Sequence, residues 1–384
     1  MLSTLIRPGL AGLAALLVAA VAGCSDAVPQ PAAVEVTRGG CGTGWAQPHG
    51  GDQTIQIHNV GTVTMEVELV DPATHDVYAE AEAVGPGTTR PMRLVLANGS
   101  YAFTCFPDGS DAETGPTVTI KDGPARGAVA VPATSENDLA ASVKVYRTHV
   151  TAGLATLAVE VAGLRAAVRT GDRGKARAAW LDAQMAYGRL GAAYDTFGDF
   201  ADAIDGLPDG LPGGVHDEHF AGLRRVEYGL WHGEPLPALD KITDALAGEV
   251  AGLRKGFAEE RTDPNDLPLR AHEILENSVQ FELTGDADQG SGDGLATIAA
   301  NLDGTRAVLA AIAPVIRPKL SGWAGVMADL DRMTALVNAQ HSRNGWTAPG
   351  ALRRADRQRL DGTLGELLER LAPIAAIGEV RRTS

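Results

Sequence analysis

Residues 132–171 read PATSENDLAASVKVYRTHVTAGLATLAVEVAGLRAAVRTG, and this stretch divides the chain. Within it Leu139, Val143, Tyr146, Val150, Leu154, Leu157, Val161, Leu164 and Val168 recur every three or four residues, the period of one helical face. The polar run Ser135-Glu136-Asn137-Asp138 supplies helix N-caps. The spacing predicts one long amphipathic helix from Ser135 that ends at Gly171.

Downstream, helical patterns continue from Lys175 to about Phe197, from Phe220 to Leu230, and from Ile242 to Glu259. Others run from Leu267 to Leu283, Leu295 to Ile316, Ser321 to His341 and Pro349 to Ile377, with a Gly- and Pro-rich loop at Gly206–Gly214. Residues 135–384 therefore read as an all-α helical bundle. Upstream the period changes to two: Gln53–Asn59 and Val63–Leu69 alternate apolar and polar residues, and Leu94-Val95-Leu96 is a short apolar run. Gly85-Pro86-Gly87, Asn98-Gly99 and Pro107-Asp108-Gly109 punctuate these runs as turns. Residues 39–132 are predicted to form a small β-sandwich. The fold class is thus α+β multidomain, sandwich first and bundle second.

The first 23 residues read as an address. Arg7 precedes an apolar run from Leu10 to Ala22, the length of a signal-peptide core and too short for a membrane span. Val21-Ala22-Gly23-Cys24 is similar to a bacterial lipobox, which makes Cys24 the lipidated N-terminus of a chain anchored outside the cytoplasmic membrane. Residues 24–38 are predicted to be a flexible tether.

The 384 residues carry 33 basic and 48 acidic side chains, a net charge of −15, with 45% hydrophobic content. That composition can bury a core, and its charge repels a phosphate backbone, which excludes nucleic acid as a partner.

Candidate chemistry lies in three places. In the sandwich, Glu66 and Glu68 sit two apart on a strand and so share one face, opposite Met65, Val67 and Leu69. With Cys24 given to the lipid, Cys41 and Cys105 either form a disulfide or act as thiolates beside those carboxylates. Thiolates with a carboxylate suit copper or another transition metal; carboxylates alone suit a harder ion such as iron. On the helix around Arg270–Asn277, His272 and Glu276 stand at i and i+4 and share a face, which fits either a metal or a hydrogen-bonded pair. This is not the zinc-protease HExxH, and with no nucleophile motif the chain reads as non-enzymatic. Third, Glu227 follows the loop histidines His216 and His219.

Taken together, the lipobox, the sandwich and the bundle resemble the EfeO family, the extracytoplasmic component of the EfeUOB iron-uptake system, with a cupredoxin-like domain before an imelysin-like one. The likeness rests on Leu211–Asp217, Glu227-Tyr228-Gly229-Leu230-Trp231, the segment Arg270–Asn277 and Phe281–Gly285 in the bundle. In the sandwich it rests on Cys41, the Glu66-x-Glu68 strand and Tyr101–Cys105. The resemblance implies a lipoprotein that binds iron, ferric or ferrous, and passes it to a membrane permease in company with a haem-peroxidase partner. The metal ligands to expect are Glu227, His272 and Glu276 in the bundle, and Cys41, Glu66, Glu68 and Cys105 in the sandwich, where copper is a further candidate. One departure stands out: where imelysin-like domains usually carry His-x-x-Glu, this chain has Arg224-Arg225-Val226-Glu227. Two further acidic positions of that family site fall near Gly188 and Ala201, with Asp199, Asp202 and Asp205 close by as substitutes. Arginine cannot ligate a cation, but beside Glu227 it can fill the vacancy as an ion pair. The alternative function is therefore a divergent paralogue that binds no metal and serves as an adaptor or scaffold in the envelope assembly.

Overall fold

The computed structural model describes residues 33–45 and 47–382. Cys24 and the expected signal segment lie outside the described residues. Nine strands come first: β1 (Val34–Thr37), β2 (Gly40–Thr43), β3 (Gly51–Asn59), β4 (Met65–Val70), β5 (Val77–Val84), β6 (Thr89–Leu96), β7 (Gly99–Pro107), β8 (Glu113–Thr114) and β9 (Val118–Ile120). One sheet runs β2-β1-β3-β6 and the other β5-β4-β7-β8, with β9 also on β7. Residues 34–37, expected in the tether, instead form β1, because Val34 and Val36 alternate with polar neighbours and bury their side chains.

Both sheets turn their apolar positions onto one core. Met65, Val67 and Leu69 of β4 meet Ile55, Ile57, Met92, Leu94 and Leu96 from the facing sheet. Cys41 on β2 and Cys105 on β7 join the two sheets through a disulfide of 2.04 Å.

Ten helices follow: α1 (Glu136–Arg169), α2 (Arg173–Gly188), α3 (Tyr194–Phe197), α4 (Asp199–Asp205), α5 (Gly222–Trp231), α6 (Leu236–Gly256), α7 (Asp266–Asn277), α8 (Gly294–Ile316), α9 (Trp323–Asn338) and α10 (Arg354–Gly378). A short hairpin, β10 (His341–Ser342) and β11 (Gly345–Trp346), precedes α10. α1 begins where the polar run predicted: the backbone N–H of Asp138 donates to Ser135 Oγ, while the Asp138 carboxylate accepts from the Ser135 N–H at 2.8 Å. Its buried stripe runs Leu139, Tyr146, Val150, Leu154, Leu157, Val161, Leu164 and Val168 and packs on α2 and α6.

The helix expected from Lys175 to Phe197 is broken in three. α2 stops at Gly188, a 3₁₀ turn covers Gly191–Ala193, and Gly198 at φ +54° separates α3 from α4. Glycines hold a helix weakly, and here they allow close packing: a Cβ on Gly188 would come within 3.1 Å of Ala300 on α8. Similarly, the pattern from Leu267 to Leu283 is an α-helix only to Asn277. It then widens into a π turn over Ser278–Glu282, closed by the Leu283 N–H donating to the Ser278 carbonyl at 2.9 Å.

After α10 the chain returns to the sandwich. The Arg381 N–H donates to the Thr134 carbonyl at 2.8 Å, and the Arg382 guanidinium donates to the Phe106 carbonyl at 2.9 Å.

Candidate metal centres

Arg224 is buried inside the bundle, where α4, α5 and the π turn after α7 meet. Gly222 opens α5 at φ +73°, where a Cβ would lie 2.3 Å from the Ile204 carbonyl oxygen, and this close approach sets the end of α4 beside the start of α5. Asp205 consequently faces Arg224, with Oδ1 3.2 Å from Nε. The π turn carries Glu282 to the same place, where Oε1 accepts from Arg224 Nη2 at 2.9 Å. One helical turn along α5, Glu227 Oε2 lies 3.5 Å from Nη1, which also donates to the Ala287 carbonyl at 3.3 Å.

These charges are out of water: Arg224 is 4% exposed, Glu227 0% and Glu282 8%. Burial works against the charged form of Arg224, and the neighbouring carboxylates of Asp205, Glu282 and Glu227 outweigh it and hold the guanidinium cationic. One cation stands against three carboxyls, whose charged forms burial disfavours. Burial pushes Glu227 up to about 8 and raises Asp205 and Glu282, in each case against the pull of Arg224.

Glu227 is therefore not an open ligand. One of its oxygens faces the guanidinium; the other accepts from the N–H groups of Gln289 and Ser291 and from the Ser291 hydroxyl at 2.6 Å. Arg224 lies against Glu227 Oε2 as an ion pair, as the sequence reading expected. Of the neighbouring aspartates, Asp202 and Asp205 line an open cleft of about 520 Å³ with Asp209 and His219, while Asp199 takes no part in it. His216 packs edge-on against Tyr228 and does not reach Glu227.

His272 and Glu276 do meet, with Nδ1 3.4 Å from Oε2 on the surface of α7. Among the described residues no third imidazole, thiol or carboxylate closes a group around them, so the observed arrangement is a close His–carboxylate pair. Cys41 and Cys105 are corrected as metal ligands, because a disulfide has no thiolate to offer. Their loss also removes the soft donors that a copper site would use.

A second carboxylate cluster lies on the outer face of the sandwich. Glu68 on β4 is directly opposite Glu80 on β5, and Glu66 shares the face two residues away. Oxygens of Glu66, Glu68 and Glu80 all lie within 4.8 Å of one another. Like charges opposite one another destabilise a sheet unless a cation or protons intervene. Glu68 is only 3% exposed and its Oε1 has no hydrogen-bond partner. Burial first, then Glu66 and Glu80, push the Glu68 carboxyl up to about 8; burial and Glu80 also raise Glu66. A cavity of about 310 Å³ opens onto Glu68, lined in part by His75, Thr104, Thr114 and Arg382. An all-oxygen donor set of this kind fits a hard cation.

Glu80 was not foreseen. Its signal was the alternation Tyr78-Ala79-Glu80-Ala81-Glu82, which places both glutamates on the face that Glu66 and Glu68 share across the strand pair. Glu282 stands in the sequence only as part of the Phe281–Gly285 segment, and nothing in sequence spacing signals a π turn.

The imelysin family model (peptidase M75) matches residues 142–371. An iron uptake system component EfeO from Yersinia pestis is 26% identical over 338 residues, covering 86% of this chain and 86% of its own length. The EfeO of Escherichia coli O1:K1 is 25% identical over 328 residues, 84% of each chain. Among solved structures, an imelysin-like protein from Psychrobacter arcticum 273-4 superposes with a TM-score of 0.50 at 15% identity, covering 66% of this chain and 99% of that one.

Proposed function

This chain belongs to the imelysin family, and from that premise we propose that it is a non-enzymatic, extracytoplasmic iron-binding component of an iron-uptake system. It is held to the cell membrane by a lipid on Cys24 and hands iron to a membrane permease with a haem-peroxidase partner. The relatives named as iron uptake components, alike over most of both chains, support the role. The disulfide suits an oxidising compartment outside the cytoplasm.

The observation that carries the reading is the Glu66–Glu68–Glu80 cluster, with an unpartnered carboxyl oxygen nine-tenths buried at its centre. Iron is the cargo, and the sandwich holds it in place of the bundle, where Arg224 pairs with the buried acids. In this reading Glu66 and Glu68 are ligands and Glu80 is a third. His272 and Glu276 are an accessory surface pair.

The test is titration of the chain from Cys24 onward with ferric citrate, wild type against Glu68→Gln. Stoichiometric binding is expected in the wild type. The variant keeps the shape but loses one anionic donor, and should bind at least about tenfold more weakly. Equal affinity in the two would remove the sandwich as the site. A wild type that binds no iron would favour the second reading, an adaptor or scaffold, which the Arg224 ion pairs support.

A further inference from the structure

The iron site so placed leaves Arg381 without a role, and its geometry is specific. This residue follows the end of α10, is only 7% exposed, and reaches from the bundle onto the sandwich. Its Nε donates to Glu80 Oε2 at 2.7 Å and its Nη2 to Glu80 Oε1 at 3.4 Å, a two-pronged grip on both oxygens. Nη2 also donates to Glu379 at 2.6 Å, and Nη1 to the Ala376 carbonyl at 2.9 Å, so the guanidinium is fixed from the bundle side.

Glu80 is thus claimed twice. It belongs to the group formed with Glu66 and Glu68, and also to a second group with Glu82 and Glu379. A carboxylate whose two oxygens both accept from a guanidinium has its charge already countered and a lone pair on each oxygen taken, so a metal ion must compete for it. Moreover, a cation of charge two or three seated among Glu66, Glu68 and Glu80 would lie within a few ångströms of a fixed positive charge, in surroundings that screen it poorly.

We propose that Arg381 is a positioning residue that serves as resident counter-ion of the sandwich site, and that iron binds by taking Glu80 from it. The inference rests on the reading of the sandwich as the iron site. Two consequences follow. The arginine sets the affinity, keeping it low enough for release. Occupancy also loosens the junction between sandwich and bundle, because the Glu80–Arg381 contact joins residues 301 positions apart.

The experiment uses the chain from Cys24 onward with ferric citrate. Arg381→Gln should bind iron at least about tenfold more tightly, since a competing cation has gone. Arg381→Lys retains the charge but loses the two-pronged grip, and should bind with an affinity between those of wild type and Arg381→Gln. In the wild type, amide hydrogen exchange over residues 376–382 should speed up on iron loading. This second measurement needs no variant and stands if Arg381→Gln fails to fold. A folded Arg381→Gln with unchanged or weaker affinity, or unchanged exchange in an iron-loaded wild type, would overturn the role of Arg381 and leave the iron site intact. Absence of iron binding by the wild type would instead fell the site reading, and this inference with it.

Discussion

Replacement of Arg224 by methionine is expected to lower the stability of the helical domain by about 3–5 kcal/mol at pH 8, the cost of removing one partner from a buried ion cluster. The methionine fills similar volume, so the loss is electrostatic. It arises because Asp205, Glu227 and Glu282 would lose the cation that opposes their desolvation. The pH dependence identifies that cause. Already in the wild type the Glu227 carboxyl is pushed up to about 8 from an ordinary value of 4.5. An acid raised in the folded state binds protons that the unfolded chain releases. Its stabilising contribution is therefore complete below about 4.5 and falls as pH rises through about 8. Without Arg224 the three acids rise further, and the variant loses stability more steeply over that window. The penalty measured by urea unfolding, followed through helix circular dichroism, should be clearly smaller at pH 5 than at pH 8. A penalty independent of pH would mean that packing, and not charge, is what Arg224 supplies.

The second large effect is expected at the disulfide. Cys41 and Cys105 are separated by 64 positions, and closing a loop of that length removes unfolded-state entropy worth about 4 kcal/mol in the chain-entropy account. The double variant Cys41→Ala, Cys105→Ala should lower the sandwich transition by roughly that amount and leave the helical transition in place, because the two domains have separate cores. At temperatures where the sandwich is still folded, ferric affinity should be unchanged, since the donors on the outer face are carboxylates. Loss of iron binding by a folded double variant would show that the sulfurs take part after all.

Much of the fold was legible because periodicity is local. α1 was readable from its three-to-four spacing and from Ser135, and the strand face of Glu66 and Glu68 from a spacing of two. The run Leu94-Val95-Leu96 looked uniformly apolar, yet Val95 points out to solvent while its neighbours are buried, since a strand has two faces whatever its composition. The break in the helix expected to reach Phe197 was harder to foresee. A single glycine is tolerated in a helix, and only the packing of Gly188 against α8 and of Gly191 against Ile274 turns the weak propensity into a stop.

The sites were less legible than the fold, for a related reason. Glu227, Arg224 and the acidic strand all stood out by residue type, and the ion pair at Arg224 was readable because the two residues are one helical turn apart. Glu282 joins the same cluster from 58 positions away. Its arrival depends on a π turn, which has no signature in spacing.

By itself, then, the sequence determined the order of sandwich and bundle, the long first helix, the faces of the strands and which charged residues had no ordinary place in a core. Each of those follows from neighbours within about two turns or a few strand positions. Only the tertiary structure decided what those charges meet: Arg224 with Asp205 and Glu282, Cys41 with Cys105, and Arg381 with Glu80 across 301 residues. Such pairings are set by how whole elements close on one another, and a one-dimensional period carries no record of that closure.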